Sequence, residues 1–271
     1  MFRMIQLVLY IGLFTGINHL QAQTKDNLPS SLIIHLGDST DVKITALIKK
    51  PLPGILFVHV HEDEKTAVQA TTQYLDSTQQ GTFITLQHGM GRNIRFAMGG
   101  LPFQFDPNRI YTEAGRKSTL SKFGVYSDAA CKEVTKLSNA ILSQFVEGKK
   151  LLVALHNNSD KGGLSILSYQ KGGVYANDAS KVAVQKNKDA DDFFYTTSER
   201  AFQFFKKKGF NVMLQNNATV FDDGSLSVYA GNMEIDYINL EAQQGHLNEQ
   251  RKMLNAATEY IKIYFPEAFQ K

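Results

Sequence analysis

The run GILFVHV, residues 54–60, restricts the fold of this chain more than any other stretch. It has strand length and is almost wholly apolar. Successive side chains of a strand point to opposite faces, so a continuous apolar run belongs to a strand covered on both sides. Related runs recur at KLLVALH (150–156), FNVMLQ (210–215) and MEIDYINLE (233–241). SLIIHL (31–36), VKITALI (42–48) and GTFITLQH (81–88) read as further strands, the first two around the turn GDSTD. Helical patterns lie between them. EKTAVQATTQYLDS (64–77) places Ala67, Val68, Ala70 and Tyr74 at helical spacing, and further helices are expected at 128–146, 189–207 and 247–264. The third ends at KKKG, with Gly209 as its C-cap. Strands alternating with helices predict an α/β fold with a largely parallel or mixed sheet. Residues 89–125, rich in Gly, Arg, Pro and aromatics, read as a long functional loop region, and DDGSLSVYAG (222–231) as a pocket loop.

The amino terminus carries a different signal. Arg3 precedes the apolar run MIQLVLYIGLFTG (4–16), and LQA (20–22) supplies a small residue before a cut. This pattern predicts a signal peptide over residues 1–22, export to the periplasm or beyond, and no stable membrane insertion. The remaining 23–271 would form one domain. A formal net charge of +3 is too small a basic bias to predict a nucleic-acid partner. The single Cys131 allows no internal disulfide and sits in a helical pattern as a small core residue.

In α/β sheets, sites collect at the carboxyl ends of strands. His61, His156 and Glu241 each stand at such an end. His61 and Glu64 are three residues apart at a strand–helix junction, so both side chains can converge on one side. A catalytic zinc takes three protein ligands and keeps one position open, and His156 is the natural supplier of the third. The segment HVHEDE also permits a second set, His59, His61 and Asp63, which approximates the H-x-H-x-D-H pattern of metallo-β-lactamases. Glu64 stands where that pattern has histidine, and the reading leaves DPNR and NLEAQ without a role. His59 is then a buried or supporting histidine.

HEDE followed by a helix resembles the H-x-x-E motif of zinc carboxypeptidases and of their short relatives, the succinylglutamate desuccinylase/aspartoacylase group. LLVALHNN is similar to the element that ends in their third zinc ligand, FDPNRIYT carries their Asn-Arg pair, and YINLEAQ offers their catalytic glutamate. The resemblance implies a three-layer α/β sandwich with a mostly parallel or mixed central sheet and helices on both faces. It implies one Zn2+ per chain held by His61, Glu64 and His156. Asn108 and Arg109 would grip a substrate carboxylate, Glu241 would shuttle the proton, and Arg92, or its neighbour Arg95, would face the developing oxyanion. Tyr229, in the 222–231 segment, is a candidate hydroxyl on the substrate side. The chain departs from the pattern at Asp63, where carboxypeptidases often have Arg, and at Glu62, where the short relatives often have Gly. The implied function is a secreted zinc-dependent metallopeptidase or amidohydrolase. It would cleave a peptide or N-acyl amino acid amide bond adjacent to a carboxylate. The alternative is a non-catalytic protein on the same fold that binds carboxylated ligands.

Overall fold

The computed structural model describes residues 28–159 and 163–270. The expected export segment, residues 1–22, lies outside them. In chain order the strands and helices are β1 (Ser31–Leu36), β2 (Thr40–Ile48), β3 (Ile55–His59), α1 (Lys65–Thr78), β4 (Thr82–Gln87), β5 (Ile94–Met98), β6 (Leu101–Phe105), α2 (Glu113–Phe123) and α3 (Asp128–Ile141). They continue as β7 (Leu151–Asn158), β8 (Ala179–Ala183), β9 (Phe193–Thr196), α4 (Glu199–Lys207), β10 (Asn211–Gln215), α5 (Leu226–Asn232), β11 (Asp236–Gln243) and α6 (Leu247–Tyr264).

Among the described residues, nine strands make one sheet in the order β1-β2-β4-β3-β7-β11-β9-β10-β8, and β5 and β6 form a separate hairpin. The central strands β4, β3, β7 and β11 run parallel, as do β9 and β10. The remaining pairings are antiparallel, so the sheet is mixed. Alternation along the central strands sorts the core into two layers. Leu56 and Val58 of β3, Leu152 and Ala154 of β7 and Tyr237 of β11 pack with residues of α2, α3 and α5. Ile55 and Phe57, Leu151 and Val153, and Ile238 and Leu240 pack with α1, α4 and α6. Helices therefore cover both faces, and a fully buried side chain of this kind stabilises by about 1.5–3 kcal/mol. Cys131 is buried in α3, and no helix of the described residues is long and apolar enough to cross a membrane.

Three sequence expectations need correction. Residues 89–125 are not an extended loop: they hold the β5–β6 hairpin, turned at Gly99 and Gly100 with positive φ, and helix α2. Thr112 caps α2 by accepting from the Gly115 amide, but the helix buries only Gly115, Thr119 and Leu120, so no apolar stripe announces it. The expected helix 189–207 is strand β9 followed by α4, because FFYT is buried on both faces beside β11. The 222–231 segment is not all loop, since Ser225 caps helix α5 through the Val228 amide.

Candidate metal centre

Strands β3, β7 and β11 lie side by side and end at one edge of the sheet. Glu241 pairs with His156 in the β11–β7 register. Past the end of β3 the Glu64 amide donates to the His61 carbonyl at 3.1 Å, a turn that brings the two side chains to one side. His61, Glu64 and His156, all buried, then converge so that their ligand atoms lie within 4.8 Å of one another. His61 Nδ1 is 2.9 Å from Glu64 Oε1 and 3.2 Å from His156 Nδ1. His156 Nδ1 is 3.0 Å from Glu64 Oε2. An ion with four tetrahedral bonds of about 2.0–2.2 Å sets its donors about 3.3–3.6 Å apart. The observed triangle is a few tenths of an ångström tighter, and two imidazoles with one carboxylate are a zinc-type donor set.

Asp106 backs this set, a residue that the motif reading left unused. Its Oδ1 accepts from His61 Nε2 at 2.8 Å, which leaves Nδ1 as the ring nitrogen directed at His156 and Glu64. The same oxygen accepts from the Asn108 amide at 2.8 Å, capping the 3-10 turn Pro107–Arg109. Burial would raise the Asp106 carboxyl, but the hydrogen bond and charge of His61, helped by Arg109 and Arg92, hold it well below the usual carboxylate range. Burial works against charge on His61, yet Glu64 and Asp106 outweigh it and lift its pKa to about 9. For Glu64, burial is likewise overcome by His156 and His61, and its pKa falls well below the ordinary value. The buried carboxylates of Glu64 and Asp106 thus favour positive charge at His61.

Asn157 locks the ligands to the scaffold. Glu64 is the N-cap residue of α1, but its side chain makes no capping bond because it is committed to the histidines. Asn157 Oδ1 caps the helix from outside by accepting from the Ala67 amide at 2.8 Å, and the Asn157 amide donates to Glu64 Oε2 at 3.1 Å. Asn157 Nδ2 is held in turn by the Ala242 carbonyl and by Gln250 Oε1. His59 stands apart: its Nδ1 donates to the Leu155 carbonyl at 2.8 Å, and burial lowers its pKa to about 4. Among the described residues, neither it nor the exposed Asp63 belongs to the converging group.

The centre opens into a cavity of about 1010 Å³. Arg92, Asn108, Arg109 and Glu241 line it. Arg92 Nη1 donates to Glu64 Oε1 at 2.6 Å. Arg95 instead donates to Gln104 Oε1 on the hairpin, so of the two arginines it is Arg92 that reaches the cavity. Burial lifts the Glu241 carboxyl, with His156 opposing and Glu64 adding, and Asn239 Nδ2 donates to its Oε1 at 2.9 Å. Asn108 spends its carbonyl oxygen on the Leu226 amide at 3.2 Å, which leaves its NH2 for a ligand. Arg109 Nε faces Asp223 Oδ2 at 3.3 Å. Tyr229 is a correction: α5 turns Ser225, Ser227 and Val228 to the cavity, whereas Tyr229 packs half-buried against the core, with Glu147 the charge that acts on it. A second group that could hold an ion, Asp189, Asp192 and His246, lies in a separate, more exposed depression.

No protein-family model matches the chain, and no curated protein matches it in sequence. Solved structures do match. One is a metallo-carboxypeptidase from Burkholderia cenocepacia, 14% identical, covering 88% of this chain and 66% of that one, TM-score 0.44. A second is a protein provisionally named as a metallopeptidase from Shewanella amazonensis SB2B, 12% identical, covering 86% of both chains, TM-score 0.40. A third is a succinylglutamate desuccinylase/aspartoacylase from Rhodobacter sphaeroides, 12% identical, covering 86% of this chain and 63% of that one, TM-score 0.41. The chain spans a little under two thirds of the Burkholderia and Rhodobacter proteins.

Proposed function

We propose that this protein is a zinc-dependent hydrolase acting on an amide bond next to a free carboxylate, in a small peptide or an N-acyl amino acid. One observation carries the reading. A buried His61–Glu64–His156 donor set, backed by Asp106, opens into the cavity that also presents Glu241 and Arg109.

Zinc held by these three residues would supply Lewis-acid polarisation of the carbonyl and acidification of water. The chain's own groups do the rest. Arg109 is a planar donor suited to a carboxylate through two parallel hydrogen bonds, and the Asn108 NH2 assists. Arg92, on the cavity wall beside Glu64, would supply a fixed positive charge to the carbonyl oxygen as it becomes negative. Glu241 takes a proton from the attacking water as the new C–O bond forms. It then delivers that proton to the leaving nitrogen as the C–N bond breaks. Its burial, which lifts its pKa, brings it closer to the proton affinity that such a shuttle needs. Glu241→Gln should bind zinc and substrate as before and lose on the order of 10²–10⁴-fold in kcat. A zinc-loaded variant with near-normal kcat would remove Glu241 from the reaction.

A further inference from the structure

We infer that the cavity selects a substrate whose carboxylate-bearing terminal residue also carries a positively charged side chain. The inference rests on the hydrolase reading above for the placement of the scissile bond, and on separate residues for the selection.

Arg109 is already paired, with Asp223, and the pair is built into the chain. The Ser225 amide donates to Asp223 Oδ1 at 2.9 Å. Its neighbour Asp222 accepts from Thr112 Oγ1 at 2.7 Å and from the Gly224 amide at 3.1 Å. Gly224 has φ +78 and packs against the backbone of α2, where a Cβ on Gly115 would lie 2.2 Å from the Gly224 Cα. The Gly224 carbonyl also accepts from the Tyr111 amide at 3.0 Å. The turn that carries Asp223 is therefore pinned to the segment that carries Arg109.

A substrate carboxylate that takes the remaining N–H groups of Arg109 shares that cation with Asp223, which the turn holds in place. One guanidinium then faces two carboxylates. Asp178 lines the same cavity, and its carboxyl is pushed up by burial, with the charge of Asp223 adding. Half-buried carboxylates in excess of the cation they share are unfavourable. A neutral side chain leaves that cost standing, and an acidic one adds to it. An ammonium group entering with the carboxylate removes it and restores the charge balance of the unliganded wall.

A further acceptor waits in the same cavity. Asn239 is 8% exposed and lines the cavity from β11, and its Oδ1 has no hydrogen-bond partner among the described residues. Its Nδ2 is committed to Glu241. An unpaired buried acceptor is satisfied by a ligand N–H. Tyr195, opposite Asn239 in the β9–β11 register, lines the same cavity as Asp223, Asp178 and Arg109. Beside Arg109, this part of the wall offers Asp223, Asp178 and the Asn239 Oδ1 as acceptors for N–H donors.

The test uses three compounds, N-benzoylglycyl-lysine, its norleucine analogue, which lacks only the terminal ammonium, and its glutamate analogue. Zinc-loaded full-length protein is assayed for hydrolysis, and the zinc-loaded Glu241→Gln protein for binding by calorimetry. A hydrogen-bonded charge predicts a preference for lysine over norleucine of about 10–100-fold in Kd and in kcat/KM. Asp178→Asn and Asp223→Asn should each cut that ratio to a few-fold. Equal Kd values for lysine and norleucine, or a preference for glutamate, overturn the inference. If hydrolysis occurs without lysine preference, the inference falls and the hydrolase reading stands. If binding is lysine-selective but the unmodified protein hydrolyses none of the three, the hydrolase reading falls and the selectivity stands. Absence of binding by all three overturns both.

Discussion

Replacing Asp106 with asparagine probes how the centre is held. Asp106 Oδ1 serves two donors at once, His61 Nε2 and the Asn108 amide, each at 2.8 Å. Asparagine can keep an acceptor oxygen in that place and so preserve the cap. What it removes is the negative charge that holds the His61 proton on Nε2 and makes Nδ1 a better donor. Loss of such an outer partner typically weakens metal binding 10–100-fold, or about 1.4–2.7 kcal/mol. Asp106→Ala should do the same and also lose the cap of the Pro107–Arg109 turn, a further ~1 kcal/mol of stability. Arg109 sits in that turn, so the alanine protein should show a raised KM as well. The assay is zinc competition with a chelator at one pH, with circular dichroism to establish that each protein is folded. An Asp106→Asn protein with an unchanged zinc Kd would refute the reasoning, because Asp106 would then serve the turn alone.

Two further outcomes follow from the buried polar groups. Burial raises the Glu241 carboxyl above its ordinary value of 4.5, and a carboxyl raised on folding contributes stability below the unfolded value and loses it as pH rises through the folded one. The metal-free Glu241→Gln protein should therefore melt higher than the unmodified protein at pH 8, with the difference shrinking as pH falls toward 4.5; an equal or lower melting temperature at pH 8 would contradict the burial argument. Asn157→Ala orphans the Ala67 amide, the Ala242 carbonyl and Gln250 Oε1, so urea unfolding should show a loss on the order of 2–4 kcal/mol together with weaker zinc binding, whereas a loss below about 0.5 kcal/mol would place it among ordinary surface changes.

Much of this organisation is legible in the sequence, and the illegible parts share a cause. The apolar runs of β3, β7 and β11 announce buried central strands, and residues at or just past their carboxyl ends lie at one edge of the sheet. That is why the sequence alone groups His61, Glu64 and His156. Helix α2 was invisible because EAGRKSTLSKF leans on glycine contact and capping, not on an apolar stripe. Strand β9 was hidden because only two residues separate its buried FFYT from α4. Asp106 precedes Pro107 and caps its turn through the Asn108 amide. Its second task, at His61, depends on a contact 45 residues away in the chain. Asn239 left a signal that can be read in retrospect. Tyr237, Asn239 and Glu241 recur at a spacing of two inside an apolar strand, and all three line the cavity. Tyr229 failed for the opposite reason, since a helix steps about 100° per residue and α5 turns it toward the core.

The account stands or falls on where zinc goes. Crystals of the protein grown with one equivalent of zinc, measured on both sides of the zinc absorption edge, would locate the ion directly by anomalous scattering. The predicted result is one strong peak per chain between Nδ1 of His61, Nδ1 of His156 and the Glu64 carboxylate, lost in His61→Ala and His156→Ala proteins. A full-occupancy peak at Asp189, Asp192 and His246 instead, or none at the β3–β7 edge at saturating zinc, would contradict it.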